Sequence, residues 1–304
     1  MTKVTNQQII DRYLDRFKHS KPSVASRKYS LQYFFQDRYF GYKGHVFDIK
    51  KQDVIDYFDY LNDLDTICLV TKEHKWTYFR TFLKFVMEYY DDFIIVIPHY
   101  SIKWKPIHKK PDSNKDVVMS KDEVKQILEH SYQHNYQYYI MVRLLTETGM
   151  RRGELLSINT QDVDVKRRFI ETQGKTGRNV YYYSIGLAKH LTIYLKERIL
   201  KDVPNEALFL SKYKERYSPR SINNYLSNCT DRLNINKRIS THTFRRTLNT
   251  LRKLMGCPSE DRKILLCHKV NDVNFSCYVK LNYNDYINLY DKWNPYKNLF
   301  ESSS

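Results

Sequence analysis

Glycine and proline are scarce in this chain, 8 of each among 304 residues. That leaves little material for a loop-dominated fold. With 27 tyrosines and 15 phenylalanines it points to a mostly helical, aromatic-rich interior. Cysteine is also sparse: Cys68, Cys229, Cys257, Cys267 and Cys277 are odd in number and form no C-x-x-C pair. A disulfide frame and a zinc site are disfavoured, and a reducing compartment fits. No apolar run reaches eighteen residues, so no membrane span is expected. The stretch Met1–Gln8 lacks the apolar core of a secretory signal, and a cytoplasmic protein is expected. Internal repeats and low-complexity tracts are missing. Acidic residues are outnumbered, 34 against 51 Lys and Arg, and the formal net charge is +17. A surplus of that size favours a polyanion, because neutralising phosphates releases condensed counterions.

What is present divides into three stretches. Residues 1–104 carry four apolar stripes at helical spacing: Ile9, Ile10, Tyr13, Leu14 and Phe17; Tyr29, Tyr33, Phe34, Phe35 and Tyr39; Val54, Tyr57, Phe58 and Leu61; Trp76, Phe79, Leu83, Val86 and Tyr90. Lysines and arginines, Lys72 and Lys75 among them, punctuate these helices and give the expected bundle basic edges. Residues 105–116 hold two prolines, several cations and no apolar period, which reads as a linker. Its Lys109 and Lys110 are placed to follow a nucleic-acid backbone. Residues 117–304 form a second, mixed domain that opens with a capping box at Ser120-Lys121-Asp122-Glu123. Helices are expected over Ser120–His130, Gln137–Thr148, Leu187–Leu200, Ser218–Leu233, Thr243–Met255 and Ser259–Leu266. Phe169–Thr172 and Val180–Ser184 read as a β-hairpin. The fold class is mainly α with a small β-hairpin or sheet, α+β.

Several segments carry chemistry. In Thr148-Gly149-Met150-Arg151-Arg152-Gly153-Glu154 a glycine turn delivers Arg151 to a helix start, and Glu154 lies three residues on, where a carboxylate can orient a guanidinium. The planar fork of that guanidinium suits phosphate oxygens. Lys175 stands in the hairpin. The Gly174-Lys175-Thr176 run is no nucleotide loop, since Phe169 occupies the place of the required glycine and a strand follows. A hairpin lysine can instead reach a groove and protonate a departing 5′-oxygen. His242 and Arg245 share the first turn of a helix opened by Ser240 or Thr241, a natural phosphate seat. His268 follows the end of the next helix, and Tyr278 comes ten residues later, with Tyr283, Tyr286 and Tyr290 as rivals. His130 and His134 lack the intervening glutamate of a zinc protease, and no aspartate cluster resembles a two-metal nuclease. No metal or other cofactor is expected. Cations that hold the non-bridging oxygens, an acid and a nucleophile together make a set for metal-free phosphoryl transfer.

On the segments Thr148–Leu155, Gly174-Lys175, His242–Thr247, Leu266-Cys267-His268 and Tyr278, the chain resembles the tyrosine recombinase (phage integrase, Xer-like) family from about Val117 to Tyr278. The N-terminal helices are similar to its core-binding domain in layout. The resemblance implies that Arg151 and Arg245 hold the scissile phosphate and that Lys175 is the general acid. His242 and His268 would supply hydrogen bonds and proton handling, Glu154 would support Arg151, and Tyr278 would be the nucleophile. It further implies a 3′-phosphotyrosyl link made without metal or ATP, a C-shaped clamp on a double-stranded recombination site, and a tetrameric synapse with possible accessory DNA-bending or directionality proteins. The chain departs from the family pattern at Cys267, where a glycine is usual. Arg220, Asn223 and Asn224 are candidate groove contacts. The tail stripe of Tyr286, Ile287, Leu289 and Tyr290 would dock either on a neighbouring protomer or on its own domain. Two other readings stay open, a type IB topoisomerase-like DNA-relaxing enzyme and a non-catalytic DNA-binding protein with the same fold.

Overall fold

The computed structural model describes residues 4–91, 93–97, 117–174, 177–201, 203–268 and 281–301. The chain divides into two compact units, Met1–Lys110 and Pro111–Ser304. Lys109, Lys110 and the rest of the expected linker lie outside the described residues.

In the first unit, α1 (Asn6–Asp15) opens on a capping box in which Thr5 Oγ1 accepts the Gln8 amide and Gln8 Oε1 accepts the Thr5 amide. α2 (Lys21–Phe35) carries Pro22 in its first turn, where an N–H would have no helical partner. α3 (Lys51–Asp63) and α4 (Leu69–Tyr89) complete the unit. Phe34 sits at the centre of its core, with the rings of Tyr42, Tyr57 and Phe79 at 4.9, 5.1 and 4.3 Å. The expected stripes shift at their ends. Phe17 lies past the end of α1, and Tyr39 lies past α2 and folds back to stack on Tyr33 at 3.8 Å. Two of the lysines expected at basic edges are buried instead. Lys72 Nζ donates to the Asn62 carbonyl at 2.8 Å, and Lys75 Nζ stands 3.2 Å from the Tyr33 ring. Burial pushes the Lys75 ammonium down to about 8.

The second unit is built around α6 (Tyr136–Thr148), buried without a break from Tyr139 to Thr148, which explains its lack of a polar face. α5 (Lys121–His134) packs on it and begins at the expected capping box. It runs one turn further than expected, so His130 and His134 stack on each other within the helix. After the short α7 (Arg152–Ser157) comes an antiparallel sheet of β1 (Val163–Asp164), β2 (Phe169–Gly174) and β3 (Gly177–Tyr182), in that spatial order. The hairpin ladder extends past the expected strand ends to the pair Gly174–Gly177, while Ser184 leaves the strand to cap α8 (Ile185–Leu200). α9 (Pro219–Arg232), α10 (Thr241–Leu254) and α11 (Ser259–Leu265) follow, then α12 (Tyr283–Lys292) and α13 (Lys297–Glu301). No helix among the described residues is long and apolar enough to cross a membrane.

A buried charge cluster ties α12 to α6. Glu147 accepts from Arg143 Nε (2.6 Å), the Ser184 amide (2.8 Å) and hydroxyl (3.0 Å), and the Tyr290 hydroxyl (2.8 Å). Arg168 forms a bidentate pair with Asp291, and Tyr286 stacks on Tyr182. In this structure the aromatic stripe of the tail therefore packs on its own domain.

Candidate active site

Gly149 ends α6 with φ +63°, and a Cβ there would come within 2.9 Å of Leu266 Cδ2 and 3.1 Å of Leu248 Cδ2. Glycine is favoured twice at this point, by the left-handed turn and by the Leu248 and Leu266 methyl groups that a side chain would press on. The turn places Arg151 immediately before α7. Its guanidinium donates through Nη1 to Glu154 Oε1 at 2.8 Å, while its backbone amide donates to Glu154 Oε2 at 2.7 Å. The Arg151 side chain is 42% exposed, whereas that of Glu154 is 4% exposed. The charge thus faces outward from a buried anchor.

Arg245 projects from the start of the second turn of α10 and is almost fully buried. Its Nη1 donates to the Gly149 carbonyl at 2.8 Å and its Nη2 to the Leu266 carbonyl at 2.6 Å. One guanidinium therefore joins the turn that delivers Arg151 to the end of α11. Phe244 and Leu248 on the same helix face the core, as their spacing predicts.

His268 follows a Schellman-type end of α11, in which the His268 amide donates to the Lys263 carbonyl and the Cys267 amide to the Ile264 carbonyl. Cys267 has φ +50°, the conformation that favours glycine. The turn survives the departure from glycine, at a cost on the order of 1–2 kcal/mol for the left-handed backbone. Its thiol donates to the Val180 carbonyl at 3.3 Å, and burial pushes it up to about 11, so it stays protonated.

Both histidines are held below the ordinary imidazole value. For His242 burial comes first, then Arg246, Arg245 and Arg151; for His268 burial comes first, then Arg245 and Arg151. The same two arginines act on both rings, so Arg151, His242, Arg245 and His268 share one locality. Lys175 and Tyr278 lie outside the described residues. Of the candidate groove residues, Arg220 and Asn224 are exposed on α9, whereas Asn223 accepts the Thr241 amide at 3.4 Å and joins α9 to the start of α10.

The inward face of β3 adds two site residues that the catalytic motifs do not include. Asn179 Nδ2 donates to Glu154 Oε1 at 3.0 Å and the Tyr181 hydroxyl to Glu154 Oε2 at 2.8 Å. A polar residue at a buried period-two position of a strand was the available signal.

Residues 117–283, more than half of the chain, match the Phage integrase family. The chain belongs to that family. This phage integrase family member is 29% identical over 141 residues to tyrosine recombinase XerD of Staphylococcus epidermidis, a match covering 44% of the chain and 48% of the relative. The chain thus spans about half the length of that relative. It is 26% identical over 221 residues to a probable integrase/recombinase of Acholeplasma phage L2, covering 71% of the chain and 73% of the relative. Among solved structures, the XerH site-specific recombinase bound to palindromic difH substrate, a post-cleavage complex, matches with a TM-score of 0.65 at 15% identity, covering 91% of this chain and 82% of that one. At that identity the likeness is one of fold.

Proposed function

We propose that this chain is a site-specific DNA recombinase or integrase that cuts and rejoins duplex DNA through a 3′-phosphotyrosyl link, without metal or ATP. The observation that carries the reading is that Arg245, on the same helix as His242, bonds both the Gly149 turn that delivers Arg151 and the Leu266 carbonyl two residues before His268. In the proposed step the Tyr278 hydroxyl attacks the scissile phosphorus, and the bond to the 5′-oxygen breaks as the bond to tyrosine forms. Lys175 supplies the proton that leaves with the 5′-hydroxyl. Arg151 and Arg245 hold the non-bridging oxygens, with Glu154 fixing Arg151, and this stabilises the charge that builds up in the transition state. His242 and His268 donate hydrogen bonds to the phosphate oxygens, and one of the two imidazoles takes the single tyrosine proton. Ligation is the reverse. The rival tyrosines are engaged elsewhere. Tyr290 is buried on Glu147, Tyr283 donates to the Arg167 carbonyl at 2.6 Å, and Tyr286 is stacked on Tyr182.

The first unit, with Lys109 and Lys110 of the linker, serves in this reading as the second jaw of a DNA clamp, and the +17 charge supports it. In this reading Arg220 and Asn224, exposed on α9, contact a groove of the DNA. Four protomers assemble on the recombination site in the cytoplasm, with an accessory DNA-bending or directionality protein where the site requires one.

The test uses duplexes that the full chain selects from a randomised pool, nicked near the candidate cleavage position and incubated without metal or ATP. A covalent band on a denaturing gel is expected. Trypsin then separates Val270–Lys280, which holds Tyr278, from Leu281–Lys292, which holds the three rivals. DNA on the first peptide supports the assignment; DNA on the second overturns it. Tight binding with no covalent band would leave a DNA-binding protein.

The pH dependence of the same reaction is a separate prediction. The folded histidine values lie below the unfolded value of about 6.5. Well above 6.5 both rings are neutral in either state. As pH falls, the unfolded chain takes up these protons first, so stability drops, and the rings then protonate in the folded site. The rate should hold through neutrality and fall with an acid-limb midpoint below 6.5. A midpoint at or above 6.5 would show that burial and the arginines do not control the rings.

A further inference from the structure

We propose that Asn179 and Tyr181 of β3 are positioning residues for strand cleavage, acting through Glu154 to set the guanidinium of Arg151. This rests on the recombinase reading. Glu154 Oε1 accepts from Arg151 Nη1 and Asn179 Nδ2, and Oε2 accepts from the Arg151 amide and the Tyr181 hydroxyl. Each carboxylate oxygen thus has both lone pairs engaged, one by the arginine and one by the strand. A half-exposed guanidinium is fixed only as well as the carboxylate that holds it. That carboxylate hangs on rotatable bonds which the two β3 donors immobilise. Burial raises the Tyr181 phenol well above its ordinary value, so it remains a donor throughout the working pH range.

The strand is also built to bring these donors in. A Cβ on Gly174 would lie 2.1 Å from Asn179 Nδ2 and 3.0 Å from Glu154 Oε1, so the amide occupies the space that a side chain at 174 would take. Between the two donors the Val180 carbonyl accepts the Cys267 thiol, next to His268. The hairpin whose closing pair flanks Lys175 in sequence is thereby registered against Arg151 on one side and the His268 turn on the other.

The experiment is a double-mutant cycle on the full chain. Tyr181→Phe and Asn179→Ala are made alone and combined with Arg151→Lys. Single-turnover adduct formation on the nicked, selected duplex is measured at saturation, together with duplex Kd. Each single change should lower the rate about 10–100-fold with Kd within about threefold of wild type. In the Arg151→Lys background the further loss should be below about twofold, because the group being positioned is already gone. A merely structural role would cause the same loss in both backgrounds, and that result, or single variants within about threefold of wild type, overturns the proposal. If the wild-type chain forms no adduct on a duplex it binds, the recombinase reading fails first and this proposal goes with it.

Discussion

Arg245→Lys is expected to slow covalent adduct formation by about 10²–10³-fold while leaving duplex affinity within a few-fold, the effect of removing a preorganised donor at developing negative charge. The charge is kept, so the loss would report geometry. Arg245 donates to two carbonyls on different elements, Gly149 before α7 and Leu266 after α11, and still has donors left for a phosphate oxygen. A lysine ammonium is a point charge on a flexible stem and cannot span both carbonyls with a fixed planar fork. One carbonyl would be left without its buried donor, costing about 1–3 kcal/mol, which a modest fall in Tm should register beside the larger kinetic effect. A loss smaller than tenfold in rate would mean that Arg245 works as a charge and not as a fork.

Glu147→Ala should destabilise the second unit by about 3–5 kcal/mol, the cost of breaking a buried ion pair from one side. Glu147 is fully buried and Arg143 nearly so. Burial works against the Arg143 charge, but Glu147 and the Tyr139 hydroxyl more than offset it and hold its value up. Removing the carboxylate strands that cation and also releases Ser184 at the start of α8 and Tyr290 of α12. Urea denaturation is the measurement. Tyr290→Phe, which deletes one hydroxyl, should cost about 0.5–1.5 kcal/mol and so separates the tail contact from the ion pair. Equal losses in the two variants would show that the tail, and not the buried charge, carries the stability.

The sequence was most readable where a residue's role depends on near neighbours. Apolar spacing located the helices, Ser120 and Glu123 announced a helix start, and the Arg151–Glu154 spacing foretold an ion pair that the structure contains. Reading failed where the partner is distant in the chain. Nothing local to Lys72 or Lys75 says that an Asn62 carbonyl and a Tyr33 ring will receive them in the interior. Nothing near Glu154 announces two donors from a strand some twenty-five residues later. β1 was missed because two residues carry no periodicity, and it exists only through its pairing with β2. The tail stripe was ambiguous for a similar reason. An apolar face specifies that it must be covered, and only the position of Glu147 and Tyr182 determines by what.

The bridge made by Arg245 also bears on how the molecule opens. Because one side chain fastens the Gly149 turn to the end of α11, neither can detach alone without stranding a buried guanidinium. The segments bearing Arg151 and His268 are therefore expected to open as a single cooperative unit in native-state hydrogen exchange. The amide protons of Gly149, Cys267 and His268, each bonded within its own helix end, should exchange through a shared opening, so that a site half assembled has no appreciable population.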